Sequence, residues 1–98
     1  MGVNYVMVAS IIYCESGWNE NIIGLNKRNG EVWSKDFGLF QLNDFYHKKE
    51  ALNMGYDITD PEHNIIYGMY LLRTQGIQPW SNQTTLKCIS RWNGQGYS

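Results

Sequence analysis

Residues 3–14, VNYVMVASIIYC, form an apolar run without Gly or Pro that ends directly on Glu15-Ser16-Gly17. The β-branched residues in it favour a strand on propensity alone. The length of the run, its lack of breakers and the helical spacing of Val3, Val6, Met7 and Ser10 predict a buried helix instead. Gly17 then ends the helix, and Glu15 falls in its last turn or just past it. A carboxyl group fixed at the end of an apolar helix constrains everything that follows, because other elements have to pack around it. Cys14 beside it and Trp18 close by disfavour its charged form and raise its pKa. A proton then stays available for donation at neutral pH.

A second carboxylate follows in the loop Asp36-Phe37-Gly38-Leu39-Phe40-Gln41-Leu42-Asn43. Two carboxyl groups on facing elements, one sheltered and one wet, are the equipment for cleaving a glycosidic bond. Between them, Asn29-Gly30 is flanked by Leu25 and by Val32-Trp33. That pair signals a hairpin turn and predicts a small β-ribbon over residues 21–35 leading into Asp36. Residues 38–41 read as a tight loop or a short helix.

Helix punctuation organises the second half. Asn43 or Asp44 caps a helix that runs to about Met54, with Gly55 as terminator. Asp60 is a natural N-cap, Pro61 suits the first helical position, and Glu62 puts negative charge in the first turn. Ile65, Ile66, Met69 and Leu72 predict the core-facing stripe of that helix, and Gly76 stops it. A final helix starts after Ser81 or Asn82 and runs through Leu86 and Ile89 to Trp92, with Asn93-Gly94 as its end. No repeat, low-complexity tract or linker divides the chain, so residues 1–98 read as one domain.

Composition narrows the class. Hydrophobic residues make up 43% and aromatics 14% of the chain, which supports a folded core over disorder. Four Trp and seven Tyr are many for 98 residues. Most serve a small core, and some are free to stack on sugar rings. A formal net charge of −1 favours neither nucleic acid nor a lipid surface as partner. Residues 1–14 lack a basic n-region and a cleavage site, and the run is too short to span a bilayer. The expectation is therefore no signal peptide and no membrane insertion. Two cysteines, Cys14 and Cys88, predict a chain folded in a reducing cytoplasm with two buried free thiols. One Cys14–Cys88 bridge is the alternative, and it requires the first and last helices to pack together.

Four motifs in order carry a resemblance: Glu15-Ser16, Gly38-Leu39-Phe40-Gln41, Asn64-Ile65-Ile66-Tyr67-Gly68 and the late aromatic-Asn pair Trp92-Asn93. Together they resemble the lysozyme-like superfamily, in particular phage-type soluble lytic transglycosylase domains. The resemblance implies a mostly helical α+β fold of about four to five helices, with a small β-ribbon beside the active-site groove. It also implies cleavage of the β-1,4 bond between N-acetylmuramic acid and N-acetylglucosamine in peptidoglycan glycan strands, without a cofactor.

Glu15 is then the catalytic acid. Asp36 stands where many lysozymes carry their second carboxylate, which transglycosylases generally lack; its plainer reading is a cap on the following turn. Retaining hydrolases hold the two groups about 5–5.5 Å apart and inverting ones roughly 6.5–9.5 Å. Ser16, Gly38, Gln41, Trp92 and Asn93 are the implied substrate contacts. Gln41 offers donors and an acceptor to N-acetyl groups, and Gly38 allows a turn or close approach of the glycan. Trp92 stands where the family usually has Tyr, so the phenolic hydroxyl is missing. Asn64 and Gly68 read as structural, through backbone bonds and close packing.

His47 and His63 read as solvated side chains, and no His/Cys/Asp cluster has metal-ligand spacing. Three outcomes stay open: a lytic transglycosylase leaving 1,6-anhydro ends, which more of the motifs favour; a two-carboxylate lysozyme; and a non-catalytic glycan-binding component of a phage-like particle. Action at the bacterial wall would follow lysis or assembly into a particle.

Overall fold

A computed structural model describes residues 4–95, with side chains described through residue 91. Its elements are four α-helices and a three-stranded antiparallel sheet, the α+β arrangement expected of a small lysozyme-like domain. The first helix, α1 (Tyr5–Ser16), begins at Asn4, whose side-chain oxygen accepts the amides of Val6 and Met7 at 2.9 and 3.2 Å. It ends at Gly17, which takes the left-handed conformation and donates its amide to the Tyr13 carbonyl. Of the residues whose spacing predicted this helix, Ser10 is fully buried and Val3 lies outside the described residues, but the apolar face is a different one. Val8, Ile11 and Ile12 enter the core, while Val6 is exposed and Met7 only partly buried. The helix turns this way because its Ile11–Ile12 side meets the core cluster and α1 packs against the last helix.

Strands β1 (Ile23–Arg28) and β2 (Glu31–Phe37) meet through Asn29-Gly30, both at positive φ, as a two-residue hairpin turn demands. The register slips between Asn26 and Lys27: Asn26 faces Ser34, Lys27 faces Val32, and Trp33 is left over as a bulge. A short β3 (Leu42–Asn43) adds to the other side of β2, so the ribbon is one strand wider than predicted.

Between β2 and β3 the chain turns sharply, with Gly38 at φ 75° and the Gln41 amide donating to the Gly38 carbonyl. Leu39 and Phe40 plunge into the core there. Helix α2 (Asp44–Asn53) is capped by Asn43; Asp44 instead accepts the backbone amide of Lys35. Helix α3 (Pro61–Gln75) is capped by Asp60 and stopped by Gly76, as expected. Its core stripe is Asn64, Tyr67, Gly68, Leu71 and Leu72, with Ile66 exposed and Ile65 and Met69 at the margin.

That shift has a cause. Asn64 accepts the Phe40 amide at 3.0 Å and donates to the carbonyls of Phe37 and Ile58 at 2.6 and 2.8 Å. Gly68 lies against the Phe40 ring, where a Cβ would overlap it. The α3 face toward the Phe40 turn is therefore built for close approach, and the branched side chains sit beside it.

A single 3-10 turn at Gln78–Trp80, not foreseen, seats Trp80, whose indole N–H donates to the Phe40 carbonyl at 2.9 Å. Helix α4 (Gln83–Gln95) follows, with Asn82 accepting the Thr85 amide, and it runs past Asn93-Gly94. Cys14 of α1 and Cys88 of α4 are joined by a disulfide, which corrects the expectation of two free thiols. The argument from cysteine count to a reducing compartment falls with it. Among the described residues no helix is long and apolar enough to cross a membrane.

Candidate active site

The C-terminal turn of α1 and the sheet face each other across a cleft of about 290 Å³. Glu15, Asp36 and Gln41 all line it, with Leu42, Pro79 and Trp80 as apolar neighbours. Glu15 reaches it because the αL stop at Gly17 fixes where α1 ends. Burial pushes the Glu15 carboxyl above the ordinary glutamate range. Two weaker influences act as well. A hydrogen bond from the Thr85 hydroxyl to Oε2, at 2.8 Å, lowers its pKa, and the nearby charge of Asp36 raises it. The expected neighbour Trp18 does not line the cleft and is mostly exposed. The shelter comes instead from the cleft walls and α4.

Asp36 is held in a different way. Asn26 on β1 donates to its Oδ2 at 3.2 Å, and Asn43 on β3 donates to its Oδ1 at 2.9 Å. Each of these amides gives its other hydrogen to Ser34 Oγ, at 3.1 and 3.0 Å. Ser34 and Asp36 share one face of β2, as residues two apart in a strand must. The two flanking strands therefore clamp that face from both sides. A carboxylate accepting one amide per oxygen has its orientation set by the sheet rather than by rotamer preference.

Gln41 sits at φ 50° and donates from Nε2 to the carbonyls of Ile22 and Gly38, at 3.1 and 3.0 Å. With both donors in use, its carbonyl oxygen lies against Gly24, where a Cβ would meet it. Ser16 lies outside the cleft lining; it is buried and its hydroxyl donates to the Ile12 carbonyl at 3.0 Å. Gly38 is also outside, pressed against the Asn64 amide and serving the turn. The side chains of Trp92 and Asn93 lie outside the described residues.

Several residues of the cleft carried no signal in the sequence. Trp33 and Tyr46 form an aromatic wall with Phe45, whose ring centroid is 5.2 Å from that of Trp33; Arg28 covers Trp33 at 4.2 Å. His47 is half-buried on the cleft side of α2, edge-on to Tyr67. Burial pushes its pKa down, against the opposing pull of Glu50 and Asp36. It lines the cleft with burial favouring its neutral form, and is not the solvated side chain expected. His63 is also engaged: its Nδ1 accepts the Asp57 amide at 3.0 Å. Thr85 was missed because its partner lies 70 residues away in sequence. Among the described residues no group of three His, Cys, Asp or Glu side chains could hold a metal ion.

A cleft with one sheltered and one sheet-clamped carboxyl, walled by aromatics, has the parts for acid-assisted cleavage of a sugar chain. No curated protein and no solved structure matches the chain. Residues 1–90 match the family model of the transglycosylase SLT domain, a member of the lysozyme-like superfamily whose action is on peptidoglycan. The chain belongs to the transglycosylase SLT domain family.

Proposed function

We propose that the protein is a lytic transglycosylase that cleaves the β-1,4 bond between N-acetylmuramic acid and N-acetylglucosamine, with Glu15 as acid and then base. The observation that carries this reading is the Glu15 carboxyl, set in the cleft and held above the ordinary glutamate range by burial. In the first step Glu15 gives its proton to the glycosidic oxygen, and the C1–O bond breaks with positive charge growing on the muramyl ring. In the second, the Glu15 carboxylate takes the proton of the ring's own 6-hydroxyl, whose oxygen attacks C1. The product is a 1,6-anhydro end, and no water is consumed. Asp36, fixed by Asn26 and Asn43, faces the developing cation. Trp33 and Tyr46 offer stacking faces to neighbouring sugars.

Asp36 also favours a second reading, a lysozyme that adds water with both carboxyls engaged. Mass spectrometry of digested peptidoglycan separates the two, since anhydro ends are lighter by one water than reducing ends. Predominantly reducing ends overturn the transglycosylase reading. An inactive, folded wild-type protein that still retains glycan strands overturns both in favour of a binding module. The place of action we propose is the bacterial wall, reached from a phage-like assembly or on lysis.

A further inference from the structure

We propose that Thr85 is the positioning residue for Glu15, presenting Oε1 to the substrate by holding Oε2. This rests on Glu15 being the acid. Three observations lead to it. Thr85 is almost fully buried, yet its hydroxyl reaches the one carboxyl group at the C-terminal turn of α1, at 2.8 Å. It stands behind the cleft rather than in its lining, so its contact is with Glu15 and not with a glycan. It is also one helical turn before Cys88, whose bridge to Cys14 pins α4 against the residue preceding Glu15. Neighbouring residues on both helices are thus tied at adjacent points, once covalently and once by the hydroxyl.

The chemistry follows from where the donor sits. A hydroxyl given to Oε2 is satisfied whether the carboxyl is protonated or not, so the acid proton belongs on Oε1, the oxygen that Thr85 does not hold. In the second step the same donor steadies the carboxylate that must accept a proton. Asn82, one turn earlier on the same side, accepts the Thr85 backbone amide. The α4 backbone at Thr85 is therefore anchored independently of its side chain, and the side chain can be changed while the helix start stays intact.

The test compares Thr85→Val, which keeps the shape and loses the donor, with Thr85→Ser, which keeps the donor. Readouts are the rate of wall digestion against pH, the melting temperature, and the titration of Glu15 followed by carbon-13 NMR of the side-chain carboxyl. Thr85→Val should slow cleavage by about tenfold, the scale of one hydrogen bond to a charged group. The alkaline limb and the NMR titration should both move to higher pH, because the lost donor favoured the carboxylate. Thr85→Ser should restore rate and limb together. Should Thr85→Val fail to fold, Thr85→Ala carries the same reading.

An unchanged rate and limb in a folded Thr85→Val variant overturns the inference. So does a Thr85→Ser variant as slow as Thr85→Val with equal loss of melting temperature, because Thr85 is then only packing. Glu15→Gln, measured alongside, isolates the premise. Full activity there removes the acid reading itself, whereas an inactive Glu15→Gln beside a wild-type-like Thr85→Val removes only the role of Thr85.

Discussion

Glu15 and Asp36 open on one cleft but are held there by different kinds of structure. Glu15 ends a helix, receives one hydroxyl from another helix, and sits beside a covalent bridge between the two. Asp36 lies near the C-terminal end of β2, gripped by amides from the strands on either side. The helical side controls its carboxyl through burial, which acts on the proton. The sheet side controls its carboxyl through directed donors, which act on orientation. Side chains of one chemical type are set in separate environments this way, and the proposed reaction asks one to give a proton and the other to face positive charge.

The largest test of that contrast removes the proton. Glu15→Gln should cut wall digestion by about two orders of magnitude or more, with the circular dichroism spectrum unchanged. A folded variant lysing walls at the wild-type rate would sink the assignment. Next in size is the bridge. The Cys14→Ser, Cys88→Ser double variant should lose about 3 kcal/mol of stability in denaturant titration. Amide exchange should quicken in α1 and α4 before it does in β1 and β2. Equal loosening of both sides would mean that the bridge serves the whole fold and not the helical half.

A smaller effect belongs to the sheet side. Asp36→Asn should slow cleavage by about tenfold, short of the full ~3 kcal/mol a positioned electrostatic group can supply and less than Glu15→Gln does. If the two variants are equally dead, the sides do not divide the labour as described. The smallest effect is thermodynamic. Folding raises the Glu15 pKa above its unfolded value, so the folded state holds that proton more tightly. The resulting stability is full below the unfolded pKa and is lost as pH rises through the folded one. Glu15→Gln should therefore match or exceed wild-type stability at neutral pH and lose that advantage on acidification. A melting-temperature profile whose difference has the opposite slope would contradict the burial of Glu15.

What the sequence disclosed was local. Asn29-Gly30 fixed a turn because both positions need positive φ, and Asp60-Pro61 and Gly76 bounded α3 because capping is decided within one turn. The loop from Asp36 to Asn43 brought one carboxylate and one glutamine into the cleft that Glu15 faces. What stayed hidden depended on partners far along the chain. Thr85 looks like any polar residue in a first helical turn until α4 meets α1. Asn26 becomes a carboxylate ligand only through a register that bulges at Trp33. In α3 the structural reading of Asn64 and Gly68 held, since both serve Phe40, and the stripe misled at Ile66, which is exposed beside them. His47 misled because its helix is polar, while its ring meets Tyr67 of α3 and lines the cleft.

The Cys14–Cys88 bond spans 74 residues and encloses the sheet, α2, α3 and the cleft in one covalent ring. A protease that cuts once inside that ring therefore opens the backbone without releasing a fragment. Glu15 adjoins one end of the ring and Thr85 lies close to the other, so both pieces of a nicked molecule stay tethered at the point where those two residues meet.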